Sequence, residues 1–132
     1  DVFYSKTRKF NSVLEANLFS DNIDKKAYYA ILFEYYKNLL TDKQIETFIC
    51  YYNEDYSLSE IALEFNVSRN AVWDTLKKVI SLLEHYESKL KLYEKDVKLN
   101  EYLEKLKNHV DEEGLIIIND IEEMEYAFRY FI

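Results

Sequence analysis

The sequence predicts an all-α fold, with a helix-turn-helix head, a long C-terminal helix carrying heptads, and further C-terminal helices. Three observations carry that expectation. The chain of 132 residues holds one glycine, Gly114, and no proline, whereas sheets and hairpins need frequent turn residues. The stretch "SLSEIALEFNVSRNAVWDTLKK", Ser57 to Lys78, has the pattern of two short helices around a tight corner. From Val72 the apolar residues run Val72, Leu76, Val79, Leu83, Tyr86, Leu90, Tyr93 and Val97, in alternating steps of four and three, which is a heptad seam. A chain of this length can bury one proper core, or a small core with a long extension.

Residues 1–22 show weak periodicity and near-balanced charge, and are read as an N-terminal arm. From Asp24, "DKKAYYAILFEYYKNLL" starts with an acidic cap and sets Ala27, Ile31, Tyr35 and Leu39 at helical spacing, predicting an amphipathic helix with that stripe buried. "TDKQIETFICYYNED" follows, with Thr41 or Asp42 as cap and Ile45, Phe48, Ile49 and Tyr52 as its buried face.

Ser57 and Glu60 then form a capping box, in which hydroxyl and carboxylate satisfy the free amides of a helix start. Leu58, Ile61, Ala62 and Phe65 make one apolar stripe, leaving Glu60 and Glu64 to water. Asn66 stands where a helix commonly ends on glycine, and asparagine tolerates the left-handed backbone better than most residues. Ser68 can cap the next helix, whose stripe continues through Val72 and Leu76. Arg69, Asn70, Trp73, Asp74 and Lys77 are left facing outward.

A helix from Ser68 to Val97 would be about 45 Å long at about 1.5 Å per residue, longer than a small head can cover. The seam from Tyr86 through Leu90, Tyr93 and Val97 therefore needs a partner, either another segment of the chain or the same helix of a second subunit. After Val97 the phase slips to Leu99, Leu103, Leu106 and Val110, which predicts a bend or a separate helix near Asp96 to Asn100. "DEEGLIIIND" reads as a break at Gly114, with Asn119 or Asp120 capping a last helix through Ile121, Met124, Ala127 and Phe128. The expected organisation is thus an arm over 1–22, a helix-turn-helix head over 23–85, and a helical extension with an acidic tail over 86–132.

Charge limits what such a head can bind. The chain carries a formal charge of -8. Within residues 57–83, Arg69, Lys77 and Lys78 are matched by Glu60, Glu64 and Asp74, so the motif is neutral. Nucleic-acid affinity rests on Lys and Arg neutralising phosphates, so this is a weak phosphate magnet. Arg69 could reach a phosphate or a guanine edge and Asn70 an adenine, or Arg69 could simply be solvated beside a cap. Trp73 occupies a place where a DNA reader more often has a polar or basic group, and a large exposed indole more often packs on protein. Asp74 can pair with Lys77 and Lys78 at helical spacing. The candidate nucleic-acid-binding residues are Arg69, Asn70, Trp73, Lys77 and Lys78, and the candidate oligomer interface is Tyr86, Leu90, Tyr93 and Val97. Residues 110–132 hold seven carboxylates against one base, Arg129, a net of -6, which would repel DNA and attract a basic partner.

Catalysis has little to stand on. His85 and His109 are far apart and neither belongs to a metal-spaced pair or a nucleophile with its base. One glycine cannot build a phosphate loop, and Cys50 reads as a core filler. The expectation is a protein without catalytic residues, metal or cofactor. A lone cysteine forms no internal disulfide, and the chain has no apolar run of membrane-spanning length and no signal-peptide pattern, so a cytoplasmic protein that meets no membrane is expected.

"LLTDKQIETFICYYNEDYSLSEIALEFNVSRNAVWDTLKKVISLLEHYESKL", Leu39 to Leu90, resembles the YlxM family of small bacterial helix-turn-helix proteins in its LLTxKQ opening, its YYxED corner and its SR-x-AV-x-D second helix. The resemblance covers roughly residues 24 to 95 and implies a fold similar to region 4 of bacterial sigma factors. It also implies a role in the signal recognition particle pathway, with the particle's GTPase, its RNA or both as partners. Two other classes stand beside that one: a DNA-binding transcription regulator acting as a homodimer through the seam, and a purely structural oligomer.

Overall fold

The computed structural model describes residues 22–131, with side chains over 25–128; the arm expected over 1–22 lies, apart from the backbone of Asn22, outside the described residues. The chain divides into two units, one ending at Leu90 and the other starting at Lys91. In the first, α1 spans Asn22–Tyr36, α2 Asp42–Phe48, α3 Leu58–Phe65 and α4 Arg69–Leu90. In the second, α5 spans Leu92–Leu106 and α6 Glu112–Phe131. No strand occurs among the described residues.

The starts of the head helices are fixed by local chemistry. At α2, Gln44 N–H donates to Thr41 Oγ1 (3.2 Å) and Thr41 N–H to Gln44 Oε1 (2.9 Å), a reciprocal capping box. Ser57 and Glu60 form the same device at α3, with contacts of 2.8 and 3.1 Å. Ser68 Oγ accepts from Ala71 N–H at 3.0 Å and starts α4. Each box satisfies amides that have no partner within the helix. Between α2 and α3 the chain turns unexpectedly through a π-helical segment over Ile49–Asn53, with Glu54 N–H donating to Ile49 C=O at 3.1 Å.

Helices α1, α2 and α3 all pack on α4. Its stripe Val72, Leu76, Val79 and Leu83 is at most 2 % exposed, so the first half of the predicted seam is the core of the head. Phe33 stacks on Phe48 with ring centroids 4.2 Å apart, and Phe48 on Tyr52 at 4.3 Å. Burying side chains of this size stabilises by about 1.5–3 kcal/mol each, so these rings weigh heavily in choosing which face of each helix turns inward.

That choice corrects the expected face of α1. Leu32, Phe33 and Tyr36 are buried, with Leu40 just beyond the helix, while Ala27 is exposed, Ile31 is 36 % and Leu39 54 % exposed, and Tyr35 is half-buried. "AYYAILFEYY" is apolar nearly all round, so two stripes compete, and the one presenting Phe33 to Phe48 wins. Asp24 is no cap either, because α1 is already helical at Asn22. On α2 the expected Phe48 is buried beside the unforeseen Thr47, whereas Ile45 and, in the π-helical segment that follows, Ile49 and Tyr52 are half-buried.

The expected continuous helix to Val97 is interrupted. Lys91 takes the left-handed conformation, φ 55° and ψ 36°, between α4 and α5. Leu90 is 48 % exposed, so the burial that sustains α4 through Leu83 has run out at its last residue. The separate helix expected near Asp96 to Asn100 is therefore present but starts earlier, after Lys91, and those residues lie inside α5. Gly114 does not terminate a helix: it sits in the first turn of α6, where its N–H donates to Asp111 Oδ1 at 2.9 Å. Asn119 and Asp120, expected as caps, lie well within α6. Among the described residues of this unit, Leu103 and Ile118 are the buried side chains.

Candidate nucleic-acid interface

The corner between α3 and α4 is built from both sides. Asn66 has φ 56° and ψ 49°, the left-handed conformation that ends a helix. Val67 N–H then reaches back to Ala62 C=O at 3.0 Å and Asn66 N–H to Leu63 C=O at 3.3 Å, satisfying the last carbonyls of α3. Ile61 and Ala62 of α3 cluster with Val72 and Leu76 of α4, with Leu58, Phe65 and Val67 packed against them. With the apolar stripes of the pair turned inward, Arg69, Asn70, Trp73, Asp74, Lys77 and Lys78 are all exposed. The five residues expected to touch nucleic acid therefore do share the outer surface of one helix.

The surface is electrically modest. Lys77 Nζ lies 3.6 Å from the Asp74 carboxylate and 5.7 Å from the centre of the Trp73 ring. Such exposed contacts are worth at most about 1 kcal/mol, so Lys77 can be drawn away by a ligand, but its charge is locally matched. Arg69 and Lys78 make no ion pair among the described residues. Trp73, 45 % exposed, is the largest side chain on the surface.

The seam residues are divided. Tyr86 is half-buried in the head with its ring 5.8 Å from that of Tyr36, and Leu90 stands exposed at the end of α4. Tyr93 and Val97 lie on α5, half-buried, beyond the break at Lys91.

A groove not foreseen from the sequence opens beside α2. Glu46, Ile49, Cys50, Glu54, Tyr56, Glu64 and Phe65 line its volume of about 330 Å³. Burial pushes the Cys50 thiol up, and the carboxylates of Glu54, Glu64 and Glu46 add to the rise. The spacing of Glu46, Cys50 and Glu54 by four was the available signal, but Cys50 reads as core from its neighbours. His85 and His109 are exposed, and no group of three metal-binding side chains occurs among the described residues. No helix among them is long and apolar enough to cross a membrane.

Comparison with known proteins fits this geometry. Residues 23–124 match the profile of UPF0122, the YlxM / p13-like helix-turn-helix proteins. A UPF0122 protein of Lactococcus lactis subsp. cremoris is 46% identical over 100 residues, covering 72% of this chain and 90% of its own. One from Halalkalibacterium halodurans is 42% identical over 108 residues, covering 78% and 99% respectively. One from Anoxybacillus flavithermus is 40% identical over 100 residues, covering 71% and 91%.

Proposed function

The chain belongs to the YlxM / p13-like helix-turn-helix family, and from that premise we propose that it is a non-enzymatic accessory protein of the signal recognition particle pathway whose head contacts the particle's GTPase, its RNA or both. The observation that carries this reading is Trp73, held 45 % exposed on the outer surface of a motif whose charges cancel over residues 57–83. An indole is a strong anchor for a protein pocket and a stacking platform for an unpaired base. It supplies no charge to a phosphate backbone, whose neutralisation provides much of the affinity for duplex DNA. The pathway itself comes from the resemblance of Leu39 to Leu90 to the family.

A dimeric DNA-binding regulator is the second reading, favoured by the exposure of Arg69 and Asn70 at the first turn of α4 and of Leu90 at its end. Fluorescence anisotropy separates the two, with particle RNA and mixed-sequence duplex DNA titrated at about 50 and 200 mM salt, beside a binding assay with the purified GTPase. The accessory reading expects RNA or GTPase binding that Trp73→Ala weakens, with Arg69→Glu reducing only the nucleic-acid part. Tight duplex binding that collapses at the higher salt, in a dimer that Leu90→Glu dissociates in light scattering, establishes the regulator instead.

A further inference from the structure

Helix α6 shows an apolar stripe that the head's function does not use. Ile117, Met124 and Phe128 are 60 %, 62 % and 60 % exposed, and half-buried Ile121 between them completes a spacing of four, three and four. Single exposed apolar residues are ordinary, but a stripe in one register is a docking pattern. Ile118, the buried residue of α6 among those described, is 2 % exposed and lies about 100° around the helix from Ile117, so the stripe lies beside the face that packs inward, with half-buried Ile121 and Glu125 at the border between them.

The residues beside the stripe state what it fits. At about 100° per residue, Glu113 and Asp120 fall on one flank and Glu125 on the other, each within about a quarter turn of the stripe's centre. Residues 110–128 contain no Lys or Arg. A second copy of α6 laid along this stripe would set those carboxylates against their equals, and like charges flanking a helical seam oppose pairing. A helix with an apolar stripe flanked by Lys or Arg meets both features at once.

We propose that α6 is a docking helix for a basic amphipathic helix of another protein, with Ile117, Met124 and Phe128 as apolar anchors and Glu113, Asp120 and Glu125 as charged flanks. This goes beyond the function proposed for the head, since it concerns a different surface and holds whichever ligand Trp73 meets. The test is anisotropy of a labelled Leu/Lys amphipathic helical peptide, and of its Leu/Glu counterpart, with the full chain. Binding to the Leu/Lys peptide alone is expected, weakened about tenfold or more (about 1.4 kcal/mol per tenfold) by Ile117→Gln/Met124→Gln/Phe128→Gln and likewise by Glu113→Gln/Asp120→Gln/Glu125→Gln. Trp73→Ala should leave this binding unchanged, which separates it from failure of the head's reading. Circular dichroism checks that each variant keeps its helix content, and Met124→Gln alone replaces any triple variant that does not. Binding that ignores the apolar substitutions would show plain charge attraction and overturn the proposal. So would a halving of molecular mass in the apolar variant, which would make the stripe a seat for a second copy.

Discussion

The Tyr36 hydroxyl donates a 2.5 Å hydrogen bond to the Glu87 carboxylate, joining the end of α1 to the last turns of α4. Tyr36 is only 1 % exposed, so the bond is made at the edge of the core, and a hydrogen bond to a charged group is worth about 1.5–3 kcal/mol when desolvated. Tyr36→Phe keeps the ring against Tyr86 and removes only the hydroxyl. It should cost about 1–2 kcal/mol and lower the melting temperature by several degrees. Tyr36→Ala should cost about 3–5 kcal/mol because the ring goes too. The corresponding bond from Tyr29 to Glu84, 2.6 Å and exposed, should matter less. Thermal melts by circular dichroism rank the three, and a Tyr29→Phe loss equal to that of Tyr36→Phe contradicts the ranking.

Stability should fall in mild alkali. Burial pushes the Tyr52 phenol up to about 12, with Tyr51 adding to it. Burial, followed by the hydrogen bond and charge of Glu84, raises Tyr29 still further. Both groups hold their protons more tightly folded than unfolded, where tyrosine titrates near about 10. Their contribution is therefore complete below about pH 10 and lost as pH rises from there towards the folded values. Urea midpoints should be level up to about pH 9 and drop steadily above about pH 10, and Tyr52→Phe should soften the drop.

Asn66, with φ at 56°, holds the corner of the helix-turn-helix. Asparagine already bears the Cβ strain of this conformation, about 1–2 kcal/mol, and offsets it because its short polar side chain can hydrogen-bond locally; alanine keeps the Cβ and loses that offset, whereas glycine has no Cβ to clash but a more flexible unfolded chain. Asn66→Ala should thus destabilise by about 1 kcal/mol or more in chemical denaturation, and Asn66→Gly should be near neutral. Equal effects would mean that the asparagine side chain, and not its backbone, is what the corner requires.

Cys50 should be a sluggish nucleophile although it is only half-buried. Its thiol is raised by burial and by Glu54, Glu64 and Glu46, and alkylation proceeds through the thiolate. At about pH 8 its reaction with iodoacetamide should be slower than that of glutathione, and Glu54→Gln/Glu64→Gln should speed it. A rate at or above that of glutathione in the parent chain would contradict the picture of the groove.

The legible parts of this fold are those decided by a few neighbouring residues. Ser57 with Glu60, Asn66 and Ser68 could be placed because each acts on amides or carbonyls within about one turn. The outward set from Arg69 to Lys77 followed once the apolar stripe of α4 was assigned. The inward face of α1 was not legible, because its ring pairs with Phe48 and Tyr86 come from distant segments and its own sequence offers two stripes. The break at Lys91 was hidden by an unbroken heptad spacing, which records side-chain periodicity and is silent about a single backbone in the left-handed region. The π-helical turn after Phe48 leaves no compositional mark. For the candidate site, the residues were nameable, but the contact of Lys77 with both Trp73 and Asp74 required their rotamers.

Gly114 shows how a correct residue can be given the wrong role. As a helix terminator it would tolerate alanine only with the strain of a left-handed residue, yet it lies in the first turn of α6, where alanine is by propensity better by about 1 kcal/mol. Space decides against the substitution. A Cβ built at Gly114 would meet Val110 Cβ at 2.5 Å and its two methyls at 3.0 and 3.1 Å. The nearest of these atoms belongs to a β-branched side chain whose position follows the backbone, so it cannot swing aside as a long chain would. Gly114→Ala should therefore displace the 110–114 segment, disturb the cap from Asp111, and destabilise the second unit in spite of its helix propensity. Val110→Ala keeps its own Cβ, so it should relieve only the methyl contacts and rescue Gly114→Ala in part, whereas Val110→Gly should rescue it more fully. Hydrogen exchange of the amides of residues 112–118 reads this directly. Faster exchange in Gly114→Ala, slowed in that order by the two second substitutions, is the expected result, and exchange equal to that of the parent chain would show that Val110 can yield.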